Sequence, residues 1–346
     1  MDLLDADGVL SFPGIFIGAI TLYSVQYLAN GRKLLAEGYK KYPNSIFRIA
    51  VHDGWLIVAN GPQLVEETCC AFDAVLSFTE AAVRIIQLEY TIGNDILDAP
   101  YHVDVIRGAL TQNIGARFDI MRDEIVVAFG DEIDTSEGWK EIPAVETVRR
   151  IVTRVSNRVF VDIPFCVYHI LSCRSSDGRT GRNAEWIQQN IEYAIDVALG
   201  AMFVKSAPRS LKPLAGRLLW KLKSQERRES DLVGPLIAER LREFAEHGDK
   251  AEDLPNDMIT WLIEVSPPEL RQVPAITKRV LLVNVSSLHT TTNTFLHVLY
   301  KIAANPAWVE PLREEVGRIV SAEGWTKASL AKMRRLDSFI RETQRI

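Results

Sequence analysis

Cysteine is scarce in this chain of 346 residues: Cys69, Cys70, Cys166 and Cys173 are the only four, and none falls in a C-x-x-C or similar metal-ligand spacing. A disulfide framework is thereby excluded, and adjacent Cys69 and Cys70 are expected as buried small apolar residues on a helix. An excess of charge of either sign is missing too, since 40 Lys and Arg stand against 45 Asp and Glu for a formal net charge of −5. That balance offers no electrostatic footprint for a nucleic acid, and none is expected as a partner. No fixed-period repeat occurs, which argues against a solenoid, and 20 Gly with 15 Pro exclude a collagen-like chain. What is present, 47% hydrophobic and 25% charged residues, describes an ordinary folded protein of two domains or one large helical one.

One long uncharged run stands out. From Gly8 to Gly31 no side chain is charged, close to the roughly 20 residues that span a bilayer. Pro13, Thr21, Ser24 and Gln26 dilute it, and Asp2, Asp5 and Asp7 occupy the place where a signal peptide carries positive charge. Residues 1–30 are therefore assigned as an N-terminal apolar segment, either a membrane anchor or an interfacial or core-packed helix.

The segment SIFRIAVHDGWLIVANGP places two strand-like runs, Ile46 to Val51 and Trp55 to Ala59, around Asp53 and Gly54, a pair suited to a tight hairpin turn. Pro62 then suits the first turn of a helix. From about Thr79 onward the pattern is helical, with apolar residues three and four apart in Arg107 to Gly115, Phe118 to Phe129 and Ile142 to Val161. The fold class expected is mainly α with a small antiparallel β-sheet.

Two stretches stand apart. Residues 167–181 lack either periodicity and end in a run of Ser, Gly and Arg, so they are expected to be a foreign insertion. Between Val197 and Gln225 there is no acidic residue, while Lys205, Arg209, Lys212, Arg217, Lys221 and Lys223 lie among Leu, Phe, Pro and Trp. Such a patch fits an anionic membrane surface or, equally, a solvated helix face.

The most informative element is a long helix expected from about Ile276 to Ala304. Its centre, VNVSSLHTTTNT, is an island of small and hydroxylated residues between Val280, Leu281, Leu282 and Leu296, Leu299. Ser and Thr hydroxyls there can bond the carbonyl one turn back and leave room for water or a ligand. The alternative is close packing of this helix on another through its small residues. Downstream, RRLDSFIRETQRI sets Glu342 and Arg345 three apart on one helix face, a spacing that lets carboxylate and guanidinium meet.

In combination and order, these segments resemble the cytochrome P450 family, in particular its fungal members, from about Asn30 to Ile346. Ser286, Ser287, Leu288, His289, Thr290 and Thr291 look like the family's small-residue, acid, Thr-Thr motif that crosses the haem face, and Glu342 with Arg345 like its E-x-x-R pair. The resemblance implies a haem-dependent monooxygenase that inserts one atom of O2 into a small apolar substrate. Its electrons would come from an NADPH-dependent flavoprotein reductase at the cytoplasmic face of the endoplasmic reticulum membrane. It also implies roles: Thr290, with Thr291 and His289, in proton relay to dioxygen, Ser286 and Ser287 against the haem, and Arg107, shared with His102, as the basic contact to a propionate. Glu342 and Arg345 would be a buried structural pair.

Three departures accompany the resemblance. His289 stands where the family usually carries an acid, and an imidazole can still pass protons. Removing residues 167–181 joins Cys166 to Arg182 in the continuous segment the family leads one to expect, as a retained intron would explain. The family's haem thiolate sits in a glycine-rich loop downstream of E-x-x-R, and no cysteine of this chain lies in that context. The expectation is an inactive fragment with no ligand for haem iron. The alternative is a non-enzymatic helical protein that keeps part of the scaffold as a binding module.

Overall fold

The computed structural model describes residues 13–51, 54–134, 138, 140–161, 184–247 and 254–345. The chain divides into two compact units, residues 1–88 with 201–216, and residues 89–200 with 217–346. The insertion expected at 167–181 lies outside the described residues.

In the first unit, helix α1 (Pro13–Lys41) departs from helical geometry at Asn30, where φ is −136° and ψ 28°. No helix among the described residues is long and apolar enough to cross a membrane. The strands β1 (Ile46–Val51) and β2 (Gly54–Ala59) pair antiparallel from Ile46 opposite Ala59 to Val51 opposite Gly54. The turn expected at Asp53 and Gly54 therefore does not include Gly54. Gly54 already belongs to the ladder with φ at 148°, a value that favours glycine, and Asp53 lies outside the described residues.

The hairpin is held to α1 by Phe47. Its ring stacks on Tyr42 at 5.9 Å, and a Cβ at Gly38 would come within 2.3 Å of it, so only glycine lets helix and strand approach so closely. Asn60, just after β2, donates through Nδ2 to the carbonyls of Tyr39 and Tyr42 at 2.9 and 2.7 Å. It thereby satisfies acceptors that the end of α1 leaves open. Helix α2 (Pro62–Cys69) has no buried residue, and it ends in two exposed thiols, contrary to the burial expected of Cys69 and Cys70. An eight-residue helix that presents no face to a core has nowhere to hide them. Helix α3 (Phe78–Ile86) starts from Ser77, whose hydroxyl accepts from the Glu80 N–H at 3.2 Å.

The second unit is all helical among its described residues. Helix α4 (Tyr101–Val105) widens into a π turn over Ile106–Leu110 and returns to α geometry over Thr111–Asn113, so the helix expected from Arg107 to Gly115 is present, with a wider first part and an end at Asn113. The Thr111 hydroxyl donates to the Ile106 carbonyl five residues back at 2.7 Å. Then follow α5 (Phe118–Glu132), α6 (Ala144–Phe160), α7 (Ala184–Ser206), α8 (Trp220–His247) and α9 (Met258–Val265). The long α10 (Val273–Ala304) precedes α11 (Val309–Glu323) and α12 (Arg334–Thr343). Helix α9 supplies the innermost apolar layer: Met258, Ile259, Leu262 and Ile263 are fully buried. Its cap Asp257 accepts from the Thr260 N–H at 2.9 Å and pairs with buried Arg240 at 3.3 Å.

A second buried cation fastens α5 to α6. Arg154 donates through Nε to Glu124 at 3.0 Å and through Nη2 to Asp131 at 2.8 Å, and the side chains of Arg154 and Glu124 are each only 7% exposed. Removing one partner strands the other as an unpaired buried charge. Arg154→Met should therefore lower stability in urea unfolding by roughly 3–5 kcal/mol. The double variant Glu124→Leu with Arg154→Met should recover a large part of that loss. An unchanged unfolding midpoint for Arg154→Met would refute the assignment.

Candidate functional site

The hydroxyl island of α10 stays helical because its side chains return their protons to their own backbone. Ser286 Oγ donates to the Leu282 carbonyl at 2.9 Å, Ser287 Oγ to Asn284 at 3.1 Å and Thr290 Oγ1 to Ser286 at 2.8 Å. Ser286 and Thr290, one turn apart, lie exposed on one face. Each hydroxyl whose proton is engaged this way keeps lone pairs free to accept from a neighbour.

His289 points elsewhere. Its Nε2 lies 3.0 Å from the carbonyl of Ala194 in α7, and since a carbonyl only accepts, the proton sits on Nε2. The ring thus ties α10 to α7. Thr291 turns to a third side. With Phe295 it lines an apolar cavity of about 420 Å³ whose other walls include Leu110, Ile114, Phe129 and Val152. Phe295 meets Phe129 edge to face at 6.2 Å. These wall residues come from the π turn's surroundings, α5 and α6, and only their helical periodicity marks them in the sequence, as it marks any core residue.

The two basic residues assigned to one task are separated. Arg107 is exposed in the π turn, a kind of helix irregularity that recurs at functional positions. His102 is buried. Burial, then the positive charge of Arg279, push its imidazole down to about 4, so it is neutral at physiological pH. Arg279 itself is fully buried. Its guanidinium lies 4.0 Å above the Tyr101 ring and donates to the carbonyls of Ala275 and Ala99 at 3.0 and 2.9 Å. Neighbouring Lys278 reaches Asp95 at 2.7 Å, so both cations anchor the start of α10 to the segment that leads into α4.

Glu342 and Arg345 do meet, at 2.6 Å, yet their side chains are 63% and 73% exposed. The expected cost of breaking a buried pair does not apply, because solvated pairs of this kind contribute under about 1 kcal/mol. What places α12 is Glu315 of α11, whose carboxylate accepts from the N–H groups of Arg335 and Leu336 at 3.0 Å each. It caps a helix N-terminus from a neighbouring helix, favourably for the dipole.

The sequence pattern of the cytochrome P450 family matches residues 13–346. The chain belongs to the cytochrome P450 family. Cytochrome P450 monooxygenase 71 of Postia placenta is 36% identical over 94% of this chain and 62% of its own length. Cytochrome P450 monooxygenase AN1598 of Emericella nidulans is 30% identical over 97% and 62% respectively. Ent-kaurene oxidase of Gibberella intermedia is 27% identical over 94% and 58%. The chain thus spans about 62% of the length of the first of these relatives.

The family is one that carries haem and draws on a redox partner. The open face of α10, made of Ser286 and Thr290, fits one wall of such a group, because no bulky side chain of its own covers it. The described thiols, Cys69 and Cys70, belong to the other unit, and among the described residues no cluster of His, Cys, Asp or Glu is set to hold a metal.

A group that no sequence pattern flagged is Glu229 of α8. It is fully buried, with both carboxylate oxygens unpartnered in the described structure, and it sits in the unremarkable charged run QERRES. Burial, with added repulsion from Glu185 and Glu192, pushes its carboxyl up to about 8, and Tyr193 beside it is raised as well. An acid raised from 4.5 to about 8 holds a proton in the folded chain that the unfolded chain has released, so stability falls as pH climbs through that interval. Glu226, also raised, adds to the fall just above its ordinary value. His102, lowered from 6.5 to about 4, acts oppositely, adding stability as pH rises between those values. Above pH 6.5 that opposition ends, and the urea midpoint should decline toward pH 8. Glu229→Gln should flatten the decline, and a variant with the native slope would contradict the buried acid.

Proposed function

We propose that this chain forms the haem-facing, substrate-side portion of a P450 monooxygenase that inserts one atom of O2 into an apolar molecule. The observation that carries the reading is α10: a hydroxyl-lined open face at Ser286 and Thr290 beside an apolar cavity that Thr291 and Phe295 line. Haem bound there would supply the oxidising chemistry. Thr290 would hold and pass a proton at Oγ1, by turning its hydroxyl from the Ser286 carbonyl toward the open face. Ser286 and Ser287 would leave room for the flat ring, and exposed Arg107 would receive a propionate. His289 would serve by fixing the rotation of α10 against α7, which decides which face Thr290 presents.

The electrons would come from NADPH through a flavoprotein reductase. A place at the cytoplasmic face of the endoplasmic reticulum has support from the first unit, where exposed Leu211 and Leu214 neighbour Arg209 and Lys212. Apolar side chains interleaved with cations suit an anionic headgroup layer.

The test uses the longest transcript-derived reading frame that contains these residues. The purified product should bind haem, show the red-shifted carbon-monoxide band of a thiolate ligand when reduced, and oxidise apolar substrates with NADPH and reductase. Thr290→Ala should lower coupled turnover by about 100-fold with the band intact. A haem protein without the thiolate band, or turnover indifferent to Thr290→Ala, would overturn the reading, and a product that binds no haem would favour a scaffold for binding partners.

A further inference from the structure

A second cavity, of about 450 Å³, opens between the start of α6, the middle of α7 and the end of α10. It shares no lining residue with the cavity beside Thr291. Its lining combines apolar Val145, Ile191 and Ile195 with the polar side chains of Arg149, Arg150 and Tyr300.

The charges of this lining do not balance. Arg150 is satisfied, with Nη2 2.8 Å from Glu146 and Nη1 3.8 Å from Glu132. Glu146 is the one carboxylate that lines the cavity, and it is spent on that pair. Arg149 is half-buried, and its guanidinium has no carboxylate or hydrogen-bond acceptor among the described residues. The Tyr300 hydroxyl is likewise without a partner there. The N-terminal turn of α6 forms one end of the cavity and adds the positive end of its dipole, although the arginine carries the argument.

We propose that this cavity binds a monocarboxylate borne on an apolar body. Arg149 takes the carboxylate through its planar fork, Tyr300 donates to it, and Ile191 and Ile195 cover the alkyl part. A half-buried cation with no counter-ion has lost part of its hydration without replacement, and a carboxylate restores that loss through paired charge-assisted hydrogen bonds. One uncompensated positive charge matches one negative charge on the ligand. The apolar part of the lining disfavours a small, fully hydrated anion. The proposal stands apart from the haem reading, since none of its residues belongs to the face or cavity on which that reading rests.

Calorimetric titration of the full chain with decanoate below its micellar concentration tests it, with decanol and inorganic phosphate as comparison probes. One decanoate should bind per chain, Arg149→Gln should weaken binding at least tenfold, and Arg149→Lys, which keeps the charge but loses the fork, should weaken it less than Arg149→Gln. Decanol should bind weakly and equally to both proteins, and phosphate should show no saturable binding. Ile195→Trp, which fills the cavity from α7, should abolish binding independently of any effect on charge. Ile125→Trp, which fills the cavity beside Thr291, should leave binding unchanged. Absence of decanoate binding, equal binding to Arg149→Gln, phosphate binding as tight as decanoate, or loss caused by Ile125→Trp would each overturn the proposal.

Discussion

A helix of 32 residues must pack through Val285, Leu288 and Leu296 while Ser286 and Thr290 between them leave another face uncovered, and the second unit meets that constraint with polar contacts. The small side chains add little grip of their own, so polar contacts supplement the apolar ones. Buried Arg279 and neighbouring Lys278 fasten its beginning, and the His289 imidazole fastens its centre to a carbonyl of α7. Between these grips the hydroxyls bond their own helix, which keeps the backbone satisfied while one face stays uncovered. An open face on a rigid helix is what a flat cofactor needs as a wall.

Interior charge is used repeatedly in this unit, and each case is resolved differently. Arg154 is neutralised by Glu124, Asp131 and Glu132, Arg240 by the cap of α9, and Arg279 is held by carbonyls and an aromatic face. Glu229 has no such partner and resolves the conflict by holding its proton. These solutions fix the helices relative to one another more strictly than apolar packing alone, because a displaced helix would strand a charge.

Some of this was legible from residue order alone. The strands, the proline start of α2, the helices around α5 and α6 and the island of α10 follow from periodicity and local chemistry. The E-x-x-R pair and its contact follow from spacing. The burial of that pair did not, because exposure depends on what packs beside a helix and not on its own sequence. Cys69 and Cys70 failed for the same reason: a thiol is buried only if its helix has a core to face. His102 and His289 show the limit most clearly. Both look like polar groups available for chemistry, yet one is enclosed beside Arg279 and the other spent on a backbone acceptor 95 residues away.

The sequence by itself determined which segments are helical, where the hairpin lies and which helix carries hydroxyls, since these depend on interactions among residues a few places apart. It also determined membership of the P450 family, which is written in the order of its motifs. Only the tertiary structure decided the direction of each side chain: Thr291 into an apolar cavity, Thr290 to an open face, His289 into α7, Arg149 into a cavity whose one carboxylate is paired with Arg150. Direction follows from the rotation of packed helices, and that rotation is set by contacts between residues far apart in the chain, which no local pattern encodes.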